Sequence, residues 1–408
     1  MSSISKIGWT ENILSDICTV KDGTHDSPKY VADGIPFVTQ KNIRDGQVNF
    51  DKVKFISQED HDNFYKRSDV KLGDILIAMI GVNRGEVGLV NEPRIFSIKN
   101  VGLIKASPNI NMNYLLYYLK SDFAKKYVDS QSRGGAQPFI GLTKLRVFPI
   151  LHPGLEEQKR IVVLLDTVFA DLEQTRAKTE QNLKNSRELF ESYLQQVFSQ
   201  KGEGWEEKKW GDMCKFIRGP FGGSLKKSMF KSEGYAVYEQ KHAIHDHIEQ
   251  LRYYVDEEKF EEMKRFELKP GELIMSCSGV TLGRASVIPE GAPKGIINQA
   301  LLKLTANDDF DIHFLKYWIR SKIFQDIIFE HAGGAAIPNV PAAKILKEIK
   351  LQIPTLEKQK IIVSEIDSMV SKRDSLLRIY TEKLAALDEL KKSILQKAFS
   401  GKLTTTAK

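Results

Sequence analysis

Residues 155–201 of this 408-residue chain align without a gap on residues 356–402, and 16 of the 47 positions are identical. Two unrelated segments of average composition would share about 3. The repeat extends upstream. Gly8, Trp9, Glu11, Asp16 and Cys18 return as Gly204, Trp205, Glu207, Asp212 and Cys214, at an offset of 196. Lys71, Gly73 and Asp74 return as Lys269, Gly271 and Glu272, and Gly81, Val82 and Gly85 as Gly279, Val280 and Gly283, at an offset of 198. A chain that carries one domain-plus-helix unit twice can fold into an object with a pseudo-two-fold axis. Such an object suits a ligand that is itself nearly two-fold, and duplex DNA is the obvious one.

Each repeat opens with about 150 residues punctuated by Gly, Pro and Asp-Gly turns. Short β-rich runs, at residues 74–80 and 272–277, and one terminal helix, at residues 111–121 and 311–321, predict a mixed α/β globule. The segment that follows has a different period. Ile161, Leu165, Val168, Leu172, Thr175, Thr179, Asn182, Ser186, Leu189 and Tyr193 alternate by four and three, with no Gly or Pro after Gly154 until Gly202. The second copy continues the seam through Ile362, Ile366, Met369, Arg373, Leu376, Tyr380, Leu384, Leu387, Leu390 and Ile394, between Thr355 as N-cap and Gly401 as C′ residue. Some 45 helical residues make a rod of roughly 68 Å, far longer than a globular domain needs. Each rod therefore needs a partner, and the other copy is the equivalent rod. The expected order is a domain at 1–154, a spacer helix at 155–201, a second domain at 202–355 and a second spacer helix at 356–408, with the two helices antiparallel as a coiled coil.

Composition narrows the function. At 41% hydrophobic and 28% charged the chain is ordinary globular material, with no run of 18 apolar residues and no signal-peptide core at its start, which predicts a soluble cytoplasmic protein. Cys18, Cys214 and Cys277 cannot build a disulfide framework and read as buried thiols. The net charge of +7 is spread as +4, −2, +1 and +4 over residues 1–154, 155–200, 201–355 and 356–408, so nucleic acid would be met by local patches.

The glycine-rich loops carry the best candidates for that contact. Residues 219–227 offer Ser224, Lys226 and Lys227 to phosphates, whereas the counterpart offers Thr24, His25, Ser27, Lys29 and Tyr30. The same scaffold with different letters fits two half-sites of different sequence. Gln40, Lys41 and Asn42, and in the second copy Gln240, Lys241 and His242, place amides beside a lysine, and an amide can pair bidentately with adenine. Arg84 and Arg133, with Gln137, sit in tight glycine turns where a guanidinium fork can reach guanine or phosphate. The second copy has Leu282 at the place of Arg84 and Ala332 near that of Arg133. His242, His245 and His247 have the look of a metal cluster, but the first copy has Asn42, Asp45 and Gln47 in that stretch, so a polar loop is the better reading. Ordinary turn chemistry is an equally good account of any one of these residues.

At the start of the two long helices, Pro153, Leu155, Glu156 and Gln158, and Pro354, Leu356, Glu357 and Gln359, resemble the Pro-x-Leu-x-Glu-Gln element of the DNA-specificity subunits of type I restriction-modification systems. The acid is shifted, since Glu156 and Glu357 directly follow the Leu, while the next place is Glu157 in one copy and Lys358 in the other. Residues 392–403 are similar to that family's closing motif, residues 22–30 to one subtype of its first target-recognition domain, and residues 268–274 to its strand motif. The resemblance covers residues 8–403. It implies two target-recognition domains that each read half of a bipartite DNA site, and two helices that space them. It further implies docking of two methyltransferase subunits at Leu155, Glu156, Gln158, Leu356, Glu357 and Gln359, with restriction/translocase subunits joining.

The chain has no phosphate-loop motif and no Asn-Pro-Pro-aromatic or Asp-Pro-Pro-aromatic tetrapeptide. S-adenosylmethionine, ATP and Mg²⁺ chemistry is accordingly expected in partner subunits, with no cofactor or metal in this chain. Two other readings stand beside this one: a nuclease or methylase acting alone, and an interaction scaffold whose coiled coil holds two domains apart.

Overall fold

The apolar runs bounded by glycine turns become strands buried on both faces, as an unbroken Ile/Leu run requires. Ile75–Ala78 and Leu273–Ser276 are fully buried and each lies between two antiparallel neighbours. The computed structural model describes residues 8–135, 137–200, 202–221, 223–248, 250–279, 281–331 and 338–403. Its contacts divide the chain into two units, Met1–Glu180 with Glu382–Lys408, and Gln181–Thr381.

In the first unit Val20–Asp22, Val101–Ile104, Ile75–Ala78 and Val87–Leu89 lie side by side, and Gly46–Val48 and Ile43–Arg44 extend that sheet. A second sheet holds Lys54–Ile56, Ile35–Thr39 and Ser97–Lys99, with the last two parallel. In the second unit the matching order is Cys214–Arg218, Leu301–Ala306, Leu273–Ser276 and Ala285–Val287. Its second sheet again contains one parallel pair, Tyr235–Tyr238 with Gly295–Ile297. Each unit is closed by a two-stranded clamp joining its two ends, Trp9–Ile13 with Pro149–Pro153 and Glu206–Lys209 with Lys350–Ile353.

The repeated Lys-x-Gly-acid motif is a structural device. Asp74 accepts the Lys71 N–H at 2.7 Å and meets the Lys105 Nζ at 2.6 Å, while Glu272 accepts the Lys269 N–H at 2.8 Å and meets Lys303 at 3.2 Å. A buried carboxylate is tolerated only when so paired and hydrogen-bonded.

The terminal helix of each domain forms as Met112–Leu119 and Ile312–Arg320, capped by the Asn111 and Asp311 side chains. Each is followed by a second helix that the sequence reading did not separate, Asp122–Gln131 and Lys322–His331. Ser121 and Ser321 interrupt the run: each hydroxyl donates back to the carbonyl three residues earlier, and the Ser121 hydroxyl also accepts the Ala124 amide as an N-cap.

The long helices are Leu155–Ser199, of 45 residues, and Leu356–Phe399, of 44. Within each unit they run antiparallel. In the first, Arg176 pairs with Asp388, and Glu173 with Lys391 at 2.8 Å. In the second, the Arg373 guanidinium stands 4.4 Å over the Phe190 ring. Each unit's core thus takes the start of one long helix and the end of the other. Ile161, Leu165 and Phe169 join Leu395, Ala398 and Phe399 in the first, and Leu194 and Phe198 join Ile362 and Ile366 in the second. Each of the Leu, Ile and Phe side chains removed from water contributes about 1.5–3 kcal/mol.

The seam departs from its predicted register in the middle. Leu189, placed in the seam by the four-three alternation, is 63% exposed, and Leu376 and Leu390 are exposed as well, while Phe190, Leu194 and Phe198 face the core. A straight helix drifts about 20° per heptad from a 3.5-residue period, and these turns also pack on a domain. No helix among the described residues is long and apolar enough to cross a membrane.

Candidate nucleic-acid interface

Gly23 and Gly219 hold equivalent places because the chain passes too close to a neighbouring strand for any side chain. A Cβ at Gly23 would lie 2.2 Å from the Ile98 carbonyl oxygen, and one at Gly219 1.9 Å from that of Asn298. Beyond this shared crossing the two loops differ. In the second unit, residues 219–227 are tied at Gly219, whose N–H donates to the Leu301 carbonyl at 2.8 Å, and at Leu225, which is buried in the core. Between and beyond these anchors Ser224, Lys226 and Lys227 are exposed, and the Phe221 ring is 91% exposed. Two ammonium groups, a hydroxyl and a bare aromatic ring on an anchored loop can meet phosphates and base faces together.

In the first unit the corresponding loop is folded back on itself. Thr24 is buried and donates to Asp26 at 3.0 Å, His25 lies between Asp22 at 3.2 Å and the Asn100 amide oxygen at 2.7 Å, and Ser27 accepts from Lys99 at 2.6 Å. Arg67 grips Asp22 from the other side at 2.7 Å. His25 and Ser27 stay exposed despite these bonds, as do Lys29 and Tyr30, with the Lys54 ammonium 4.1 Å over the Tyr30 ring.

Two stretches far apart in the sequence meet at the end of the first unit's sheet. The Gly81 N–H donates to the Pro138 carbonyl at 2.9 Å, the Ile140 N–H donates to Met79 at 2.9 Å, and Arg133 and Phe139 exchange both backbone hydrogen bonds. Residues 81–85, 133–135 and 137–139 thereby form one surface on which Val82, Asn83, Arg133, Gln137 and Phe139 are exposed, Val82 to 94%. Arg84 belongs to its interior: the guanidinium bonds Asp129 at 2.6 Å, the Ser132 hydroxyl at 3.0 Å and the Gly81 carbonyl at 3.2 Å, leaving the side chain 19% exposed. In the second copy Leu282, at the place of Arg84, is buried in the core, whereas Ala332 and Val280 lie outside the described residues.

The amide-lysine triplets also divide. Asn42 is buried, accepts the Thr39 N–H at 3.0 Å and donates to the Asn49 carbonyl at 3.2 Å. His242, 1% exposed, does the same work in the second unit, its Nδ1 taking the Glu239 N–H at 2.9 Å. Gln240 is locked to Ser278 by bonds of 2.6 and 3.0 Å, and the Lys241 ammonium donates to the Gln250 carbonyl at 2.5 Å. Gln40 is half-buried, which leaves Lys41 as the exposed member of its triplet. Among the described residues no group of three or more His, Cys, Asp or Glu is placed to hold a metal ion.

At the helix starts Leu155, Glu156 and Glu357 are exposed and Leu356 is half-buried. Gln158 and Gln359 are buried and point inward. Gln158 accepts the Asn111 N–H at 2.8 Å and donates to the Pro153 carbonyl at 2.8 Å, and Gln359 accepts the Asp311 N–H and donates to the Pro354 carbonyl, both at 2.9 Å. Each long helix is also tied to its own domain by a phenol on a carboxylate, Tyr117 on Asp166 at 2.5 Å and Tyr317 on Asp367. Burial raises the pKa of both phenols, and the bonded carboxylate adds to it.

Sequence reasoning did not single out Phe221, Val82 or Phe139. The available signal was an apolar residue beside glycine or proline in a loop that has no strand or helix period to bury it.

The sequence profile of the type I restriction modification DNA specificity domain matches residues 6–183 and, a second time, residues 202–382. The EcoBI specificity subunit of Escherichia coli is 27% identical over 201 residues, 47% of this chain and 41% of that protein, so that match spans about two fifths of the relative's length. The StySPI specificity subunit of Salmonella potsdam is 22% identical over 97% of this chain and 89% of its own. A chain solved in a study of complex assembly and conformational transition of the type I R-M system superposes with a TM-score of 0.78 at 21% identity, over 97% of this chain and 99% of that one.

Proposed function

The chain belongs to the type I restriction modification DNA specificity family, and from that premise we propose that its two units each read one half of a bipartite duplex site. The observation that carries this reading is that the family profile matches each repeat separately. The anchored loops at equivalent places also present unlike side chains: Ser224, Lys226, Lys227 and Phe221 in one unit, Lys29 and Tyr30 in the other. Equal scaffolds with unequal exposed groups are what a two-part asymmetric sequence calls for. In the first unit the joined surface at Val82, Asn83, Arg133 and Gln137 adds a fork donor, two amides and an apolar group able to meet a thymine methyl. Lys41 contributes a phosphate contact beside it.

Further, the exposed Leu155, Glu156 and Glu357 and the half-buried Leu356 dock two methyltransferase subunits, while Gln158 and Gln359 hold the helix starts in the orientation that presents them. Restriction/translocase subunits complete the assembly. S-adenosylmethionine, ATP and Mg²⁺ act in those partners, and the complex works in the cytoplasm.

The test is a domain exchange. Replacing residues 8–152 by the first domain of another member, then selecting bound duplexes from a random library, should change one half-site and leave the other intact. If both half-sites changed, or neither did, the two-reader proposal would fail.

A further inference from the structure

A cleft of about 690 Å³ lies wholly within the second unit, walled by residues 245–247, by the helices Ile312–Arg320 and Lys322–His331, and by that unit's share of the two long helices. Five cations line it, Arg284, Lys316, Arg320, Lys322 and Arg373, against four carboxylates, Glu191, Asp246, Asp326 and Asp374. Their pairing is uneven. Asp246 serves both Lys316, at 3.3 Å, and Arg320, at 3.9 Å, and Asp374 takes its neighbour Arg373 at 2.7 Å. Among the described residues Arg284 has no carboxylate within ion-pair distance. Of the other acids on the wall, Asp326 is held by Lys322 at 2.7 Å, and Glu191 lies on a long helix. Burial lowers the pKa of Arg320, and the pull of Asp246 is opposed by Arg284 and Arg373. Like charges gathered in a low-dielectric recess cost free energy unless an anion joins them.

The fold does not require this charge. In the first unit the equivalent positions are Glu86 for Arg284, Leu116 for Lys316, Leu172 for Arg373 and Lys120 for Arg320. There Lys120 shares its site with a second ammonium, Lys391, and Asp45, Glu86 and Glu173 act on it with the opposite sign. The same scaffold is thus built once with three acids around two ammonium groups and once with guanidiniums close to one another.

We propose that the cleft of the second unit is a phosphate-binding site, in which a phosphodiester or polyphosphate group is bridged by Arg284, Arg320 and Arg373. Guanidinium forks offer paired N–H donors to phosphate oxygens, and the recess strengthens each bond by excluding water. The site chemistry stands on the cleft alone. Only one of its two sources, the backbone of a bound duplex, rests on the DNA-reading proposal.

The experiment titrates the full chain with inorganic pyrophosphate in a calorimeter and compares it with R284E/R373L, which installs the first unit's residues at two of these positions, and with R284Q, the milder change. Near-ultraviolet circular dichroism checks that each variant is folded. The parent should bind one pyrophosphate per chain, R284E/R373L at least tenfold more weakly, and R284Q between the two. Duplex binding is then measured with and without pyrophosphate. Competition in the parent and none in R284E/R373L identifies a DNA phosphate as the occupant, whereas duplex binding indifferent to a filled cleft identifies a free polyphosphate. No saturable pyrophosphate binding by the parent, or equal binding by the parent and a folded variant, would overturn the proposal. A chain that filled the cleft but bound no duplex would sink the DNA reading and leave this site standing.

Discussion

Gln359→Ala removes a clamp that joins the start of the C-terminal helix to the cap of a domain helix. The amide is 1% exposed and makes two bonds of 2.9 Å, taking the Asp311 N–H and giving to the Pro354 carbonyl. A typical buried hydrogen bond contributes about 1 kcal/mol net, and a stranded buried donor or acceptor costs about 1–3 kcal/mol. Truncation strands one donor and one acceptor, so the second unit should lose about 3 kcal/mol. For a unit of roughly 200 residues, 1 kcal/mol moves the melting temperature by about 2–4 °C, which gives a fall of about 6–12 °C. Tryptophan fluorescence reads it selectively, because Trp205, Trp210 and Trp318 lie in the second unit and Trp9 alone in the first. A melting temperature within about 1 °C of the parent would show that the two bonds add nothing over water, and the clamp would have to be abandoned. A variant folded at the assay temperature should still bind duplex, since no proposed DNA contact is touched.

Burial pushes the Cys18, Cys214 and Cys277 thiols from 9.0 up to about 12. The stability they permit is therefore fully present below pH 9 and is lost as pH rises from about 9 towards 12, because the unfolded chain ionises first; chemical denaturation at intervals across that window should show the decline, and a flat profile would refute it. Lys226→Ala with Lys227→Ala should weaken binding to every duplex alike and reduce the salt slope by about 2, at roughly 0.9 per phosphate; an altered base preference with the slope unchanged would assign them another role. Arg84→Ala should loosen residues 81–85, which its guanidinium ties to Asp129 and Ser132, and should be seen as faster amide exchange at that loop; unchanged exchange would return Arg84 to the list of free DNA contacts. Four residues inserted after Thr179 and four after Ala385, across the antiparallel pair, add roughly 6 Å of helix. That length equals about two base pairs at ~3.4 Å each, so selection from a random-spacer library should return a longer spacer with both half-sites intact; recovery of the original spacing at full affinity would mean that the helices do not set it.

What the sequence determined by itself was whatever rests on local pattern. The duplication, the buried strands at residues 75–78 and 273–276, the capped helices after Asn111 and Asp311 and the two rods of 45 and 44 residues follow from periodicity, glycine turns and caps. Each acts within a few residues of itself. Tertiary structure decided where polar side chains spend their hydrogen bonds. Asn42, His242, Gln158, Gln359 and Arg84 carry the same letters whether they face DNA, a partner or the interior. Their partners, Asn49, Glu239, Asn111, Asp311 and Asp129, lie 3 to 48 residues away along the chain. It also decided the face of the long helices beyond Thr179, where Phe190 and not Leu189 turns inward, because helical drift and the adjoining domain jointly outweigh a strict seam. The joined surface at Val82 and Arg133 and the guanidinium cleft at Arg284, Arg320 and Arg373 belong to this second class. A hydrogen bond or an ion pair is a relation between two places, and only the folded chain brings those places together.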